Sequence, residues 1–462
     1  MKKNILLFSA CLCACMTSAF AQNMTAADDR TEAQKELEAY IDEGLVKFTT
    51  KDKKVSFRVG GRLVMDGAHY IDDFTDRGSG AKITSARIRV ISKIGDDLDF
   101  KLDYDFADQL LKDAFIRWHT NKNGFLRAGN FSEPFSAENI QSTFDYPFIN
   151  KSATVGAFGT GRAVGISYRY YHPWFWAEGG VFSQKFANEY HEGDMGYSFS
   201  ARLLARMTSD DWNLHVGGSV NWRRPDANGY SNGSDDYNRS VTVSSNLESA
   251  IDDKRFISAT VNNVQHVFKF GVEMMANYKN LYLKSEYIQS RYYRERDWEA
   301  TYQGMMGSLM APYFPTVDAL KQMMGPDRQA TFNGATVEAG WLIFGGDYRY
   351  NRVEALMDRP KGRTLELVAR FNHTNLNNIM PGSIYFNNAF YDNEQMMNFG
   401  MTNQTVVGGR VNTLTVGLNY YVTNNIYVRL NYSYQHLNNP YNTTYALDHD
   451  LHSLQARLAF EF

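Results

Sequence analysis

Residues 98–106 read LDFKLDYDF, and their alternation decides the fold class. Leu98, Phe100, Leu102, Tyr104 and Phe106 occupy every second place, with Asp99, Lys101, Asp103 and Asp105 between them. A helix would mix the two sets on one surface. A strand, whose side chains point to opposite faces in turn, separates five apolar groups from four charges. In a soluble sandwich the apolar face would meet a core; in a membrane barrel it meets lipid, and the charges face water. One strand does not choose between them.

The rest of the chain does. The same period predicts sixteen strands, at 55–65, 83–94, 98–107, 112–119, 125–131, 163–171, 174–184, 197–207, 213–223, 266–277, 281–293, 333–344, 363–373, 410–422, 426–436 and 452–462. The number is even and the lengths suit tilted membrane strands. Connections at 95–97, 121–124, 172–173, 209–211, 279–280 and 423–425 are short and rich in turn residues. On that side only the turn at 345–362 is long. The other side carries long polar loops, 66–82, 132–162, 224–265, 294–332, 374–409 and 437–451. Short turns at one rim and long loops at the other are the outer-membrane pattern. The last strand places Leu454, Ala456, Leu458, Phe460 and Phe462 on one face and ends the chain on Phe462, as closing strands of such barrels do.

Composition agrees. Aromatic residues make up 14 % of the 462, and mean hydropathy is −0.44, which excludes a bundle of membrane helices but suits a barrel. Lys2 and Lys3, an apolar run from Ile5 to Met16 and the small-x-small site Ala19-Phe20-Ala21 predict a signal peptide over residues 1–21. Cys11, Cys13 and Cys15 all lie within it, so the exported chain would hold no thiol. Loss of the two lysines takes the formal net charge from −3 to −5, so a nucleic-acid partner is not indicated. Residues 22–50 form a separate N-terminal segment. Leu37, Tyr40, Ile41 and Leu45 at helical spacing in a charged stretch predict a short periplasmic helix there. Residues 51–462 form the barrel domain.

Several stretches resemble the phosphate-selective porin O and P family: 98–118 (LDFKLDYDFADQLLKDAFIRW), 123–138 (NGFLRAGNFSEPFSAE), 161–166 (GRAVGI), 363–375 (RTLELVARFNHTN) and 413–434 (TLTVGLNYYVTNNIYVRLNYSY). The resemblance implies a sixteen-stranded barrel, a homotrimer in outer-membrane lipid, and a long third loop folded into the pore at about 131–162. That loop holds Glu133, Glu138, Asp145, Lys151 and Arg162. Phosphate-specific members concentrate lysines there. This loop does not, which points to a general or weakly anion-preferring channel, with phosphate or polyphosphate as candidate solutes.

Parity also assigns an inner wall: Arg58, Arg62, Arg87, Arg89, Lys101, Asp103, Asp105, Arg117, Arg127, Arg169, Arg202 and Arg206 would line the pore. Across all sixteen strands fifteen basic face nine acidic side chains, so the wall leans basic although the chain is acidic. Guanidinium groups along a narrow aqueous path raise the local anion concentration and offer paired donors to small anionic solutes. The Arg87/Arg89 pair and the Asp103/Asp105 pair could set up a transverse field or simply neutralise each other. Small anionic or neutral solutes are the expected cargo. Catalysis is not indicated: G-x-S-x-G is absent, and His191-Glu192 lacks the second histidine of a zinc site. No cofactor or metal signature is present. The competing function is a non-conducting adhesion or binding barrel acting through its long loops, with Tyr292, Tyr293, Trp298 and Tyr302 as stacking groups for sugars.

Overall fold

The computed structural model describes residues 37–42 and 45–462, apart from 51, 53, 72–76, 184–193, 228–238, 307–310, 326, 388, 392–393, 395–396, 398–403 and 440–446. The signal peptide and residues 22–36 lie outside the described residues. Sixteen antiparallel strands run from Val55–Tyr70 to Leu447–Glu461, one for each expected strand. The first and last pair from Tyr70↔Ser453 to Arg62↔Glu461, which closes the sheet into a barrel. Closure leaves no edge of unpaired N–H and C=O groups for lipid to meet.

The apolar face is the exposed one. Leu98, Phe100 and Phe106 are 36–46 % exposed, while Asp99, Asp103 and Asp105 between them are 0–6 %. That inversion of soluble packing recurs at Leu203, Val216, Val272, Phe371, Leu430 and Leu458, all exposed. The ladders extend beyond expectation at the long-loop rim, to Asn378 in Thr364–Asn378 and to Leu447 in Leu447–Glu461. There the outer face turns polar, which ends the apolar alternation but not the pairing. His373 meets Asn412 at 2.7 Å, and Tyr434 donates to Asp450 at 2.7 Å.

The N-terminal segment departs from expectation. Where the spacing predicts a helix, Leu37–Asp42 and Leu45–Thr50 are two strands of a hairpin. The hairpin's second strand pairs with the first barrel strand from Val46↔Val59 to Thr49↔Ser56, directly below the point where Leu447–Glu461 ends. An open ladder there offers backbone partners that an isolated helix of this length could not match.

The seam is close-fitted. Phe462 donates to Gly61 at 2.9 Å and accepts from it at 2.8 Å. A Cβ on Gly61 would lie 2.5 Å from the Arg87 carbonyl oxygen and 2.7 Å from the Phe462 ring. Gly61→Val should therefore lower stability by about 1–3 kcal/mol through overpacking. The check is the detergent unfolding temperature followed by heat-dependent gel mobility, and an unchanged value would contradict it.

Candidate functional site: a lumen narrowed by three inward segments

Among the described residues three connections turn into the barrel. The first, residues 133–161, enters from the long-loop rim and contains two short helices, Ala137–Ile140 and Ala153–Phe158. Ser136 and Ser152 cap them, accepting from the N–H groups of Asn139 and Val155. Its polar groups anchor on the wall. Glu133 accepts from Ser198 (2.9 Å), Ser200 (2.6 Å) and Asn221 (2.9 Å), and pairs with Arg223. Glu286 accepts from the N–H of Ala137 at 3.0 Å. Tyr146 donates to Glu338 at 2.6 Å. Phe135, Phe144, Tyr146 and Phe148 are at most 2 % exposed, so the aromatic residues of the loop pack it against the wall.

The second segment, residues 239–263, carries the hairpin Ser240–Ser245 and Ile257–Asn262. It brings Glu248 into the lumen. This carboxylate, 2 % exposed, accepts from Arg370 (2.5 Å), Asn372 (2.5 Å), Thr415 (3.1 Å) and the N–H of Ala153 (3.2 Å). Around it lies an apolar cluster inside the barrel. Phe135, Val155 and Phe158 of the first segment and Leu247, Phe256 and Val261 of the second pack on Val267, Ile288, Tyr292, Phe332, Leu376, Val411 and Leu437 of the wall. One sector of the lumen is thus a dry core.

The third segment is the long turn at the opposite rim, 345–363. Gly345, Gly346 and Gly362 have φ of +108°, +109° and +76°, so the chain reverses sharply at both of its ends. Arg169 (3.1 Å) and Trp176 (2.8 Å) donate to the Val353 carbonyl, Arg206 (2.5 Å) to that of Arg352 and Arg202 (3.1 Å) to that of Ala355. Glu354 pairs with Arg169 at 2.7 Å. Gln141 of the first segment donates to the Met357 carbonyl at 3.3 Å, joining the two inward segments.

Two open chambers border these segments. A chamber of about 440 Å³ on the long-loop side is bounded by Arg62, Arg87, Lys112, Lys151, Arg162 and Arg457, with Asp66, Asp105 and Asp108. A second, of about 490 Å³ at the short-turn rim, is bounded by Asp145, Glu354, Asp358, Arg359, Lys361 and Glu461. Both border residues 140–142.

The expected wall residues therefore part into groups. Arg62, Arg87 and Asp105 border the first chamber. Arg89 (3.4 Å) and Arg359 (3.3 Å) reach Glu461 of the second. Arg169, Arg202 and Arg206 face inward but lie beneath the third segment, and Arg127 pairs with the buried Glu178 at 2.5 Å. Arg117 is held by Asp99 at 3.1 Å and Lys101 by Asp113 at 2.5 Å. Arg58 is half-buried on the lowest part of the first strand. Arg87 and Arg89 lie 2.8 to 3.5 Å from Asp105 and Asp103 on the adjacent strand, so these charges neutralise as neighbours rather than face each other across the lumen. Arg457 chelates Asp66 with two contacts of 2.7 Å.

Of the charged residues expected at the constriction, Asp145, Lys151 and Arg162 border the chambers, whereas Glu133 and Glu138 are fully buried as anchors. Arg62 differs from its neighbours. It is 4 % exposed, donates to Ser85 (3.2 Å) and Ser142 (3.3 Å), and forms no ion pair among the described residues. Sequence reasoning missed Glu248 and the third segment. Their signal was faint: apolar residues at inward places such as Ile288, Phe332 and Leu376, and one long turn on the short-turn side. The four aromatic stacking candidates also separate. Tyr292 is in the internal core, while Tyr293 stacks on His266 outside at 4.3 Å.

The family model of phosphate-selective porin O and P matches residues 57–462. The chain belongs to the phosphate-selective porin O and P family. It is a porin of the Gram-negative outer membrane. Solved structures similar to this porin include OmpT of Vibrio cholerae, at 12 % identity over 88 % of this chain and 98 % of that one, TM-score 0.48. An anion-selective porin from Comamonas acidovorans is similar at 10 % identity over 88 % and 100 %, TM-score 0.46. The outer membrane channel DcaP of Acinetobacter baumannii is similar at 13 % identity over 90 % and 99 %, TM-score 0.47. No functionally curated protein matches the sequence.

Proposed function

We propose that this porin is a passive diffusion channel with a weak preference for small anionic solutes. The carrying observation is the first chamber, where seven basic side chains stand against three acidic ones and Arg62 and Lys151 have no carboxylate partner among the described residues. An anion passing such groups gains attraction that no ion pair has already taken up. The permeation path runs from this chamber to the second past residues 140–142. Phosphate is one candidate among small anions, because a guanidinium binds it through paired donors.

Reconstituted channels in a salt gradient should give a reversal potential on the anion side. A unit charge about 5 Å from a passing ion in water is worth about 0.8 kcal/mol, roughly a fourfold change in local concentration, and salt screening halves the energy. Arg62→Gln with Lys151→Gln should thus lower the anion-to-cation permeability ratio at least about twofold. A wild-type channel that prefers cations would reject the assignment. Conductance in steps of three would report the homotrimer that family membership suggests.

The volume taken up by the inward segments favours a second reading, a non-conducting barrel that binds ligands through its long loops. Folded protein that inserts in bilayers yet passes no current would support it.

A further inference from the structure

The two chambers carry opposite fixed charge. The chamber on the long-loop side has seven basic and three acidic side chains; the one at the short-turn rim has two basic and four acidic. Ion pairing sharpens the contrast instead of erasing it. Arg457, Arg87 and Arg162 are matched by Asp66, Asp105 and Asp113. Arg62, Lys82 and Lys151 on the first side bond only to hydroxyl or carbonyl oxygens. On the second side Asp358 accepts only from the Asn351 amide, and neither Asp358 nor Asp145 forms an ion pair among the described residues. The charges without an ion pair thus lie positive above and negative below the strip 140–142, which borders both chambers.

From this arrangement we infer that the channel is a bipolar rectifier, in which Asp145 and Asp358 oppose Arg62, Lys82 and Lys151 across the narrow strip. The inference rests on the pore reading above and adds a direction to it. The positive chamber is rich in anions and the negative chamber in cations, because fixed charge attracts its counter-ion. A field that drives anions out of the first chamber and cations out of the second fills the strip between them with carriers. The opposite field empties it. Current is therefore larger when the short-turn side is held positive. Both mobile species cross in either case; only their concentration at the strip changes.

The test is the current–voltage curve of single wild-type channels in symmetric potassium chloride. Gly304 is exposed on the helix Trp298–Met305 at the long-loop rim, and a Cβ there meets nothing within 4 Å. Gly304→Cys marks that side, since every native cysteine lies in residues 1–15; a bulky maleimide added to one compartment then reports the orientation of each channel. The expected ratio of currents at opposite polarity is roughly 1.5 to 3 at about 0.1 M salt, where the screening length is about 10 Å, falling to about 1 at 1 M, where it is about 3 Å. Asp145→Asn with Asp358→Asn should abolish the ratio while the channel still conducts. Linear curves at low salt, or rectification of the opposite sign, overturn the inference and leave the pore intact. Absence of any current overturns both. Rectification that survives the double variant shows that these two carboxylates are not its source and rejects the assignment.

Discussion

Replacing residues 346–362 by Asn-Gly is expected to raise single-channel conductance several-fold while leaving a folded barrel. The flanking strands Ala330–Phe344 and Thr364–Asn378 pair as far as Phe344↔Leu365, so a tight turn of the hairpin type can close them. Two arginines of the wall beneath the segment keep a carboxylate of the wall itself. Arg202 holds Glu273 at 2.6 Å and Arg169 holds Glu178 at 2.7 Å without any help from the segment. What is lost is the packing of Tyr348 and Met357 on Met275, Tyr282, Leu342 and Val368, at about 25 cal/mol for each Å² of apolar surface returned to water, together with the bonds of Arg169, Trp176, Arg202 and Arg206 to residues 352–355. The unfolding temperature should fall, but heat-dependent gel mobility should persist. Conductance equal to wild type would mean that the segment does not bound the conducting path.

Glu248→Ala is expected to have the second large effect, on the opposite rim. The carboxylate is the one acid that faces Arg370, Asn372, Thr415 and the Ala153 N–H together, so it fastens both loop segments to each other and to the wall. Removing it leaves the buried Arg370 with Glu138 at 3.8 Å as its remaining carboxylate, at up to about 3–5 kcal/mol. That is comparable with what holds a docked loop. Residues 239–263 should leave the lumen, seen as protease cleavage near Glu248 in intact proteoliposomes and as noisier, larger currents. Glu248→Gln keeps the shape and some of the hydrogen bonds, so its effect should be smaller. Equal resistance of the alanine variant and the wild type to protease would contradict the anchoring role.

The two variants bracket what could be read from residues alone. Alternation at 98–106 and its fifteen counterparts determines the strands, their order and which face meets lipid, because side-chain direction has a period of two and register transmits it around the sheet. The same parity placed Arg62, Arg87 and Asp105 on the inner wall. It could not tell Arg62, which has no carboxylate partner, from Arg87, which Asp105 neutralises at 2.8 Å, since that distinction depends on the neighbouring strand's register. Nor could it foresee the paired strands Leu37–Asp42 and Leu45–Thr50, where spacing favoured a helix and an open ladder beside the first strand decided otherwise.

By itself, then, the amino-acid order determined a closed sixteen-stranded outer-membrane sheet with a charged interior. Those properties follow from local geometry and from the cost of unpaired backbone in lipid. Only the tertiary structure decided which part of the interior is open. The inward course of 133–161, 239–263 and 345–363 depends on contacts between residues as far apart as Glu248 and Arg370, or Gln141 and Met357, which no periodicity records. Buried carboxylates and carbonyls satisfy most arginines of the wall, whereas Arg62 bonds only to the hydroxyls of Ser85 and Ser142.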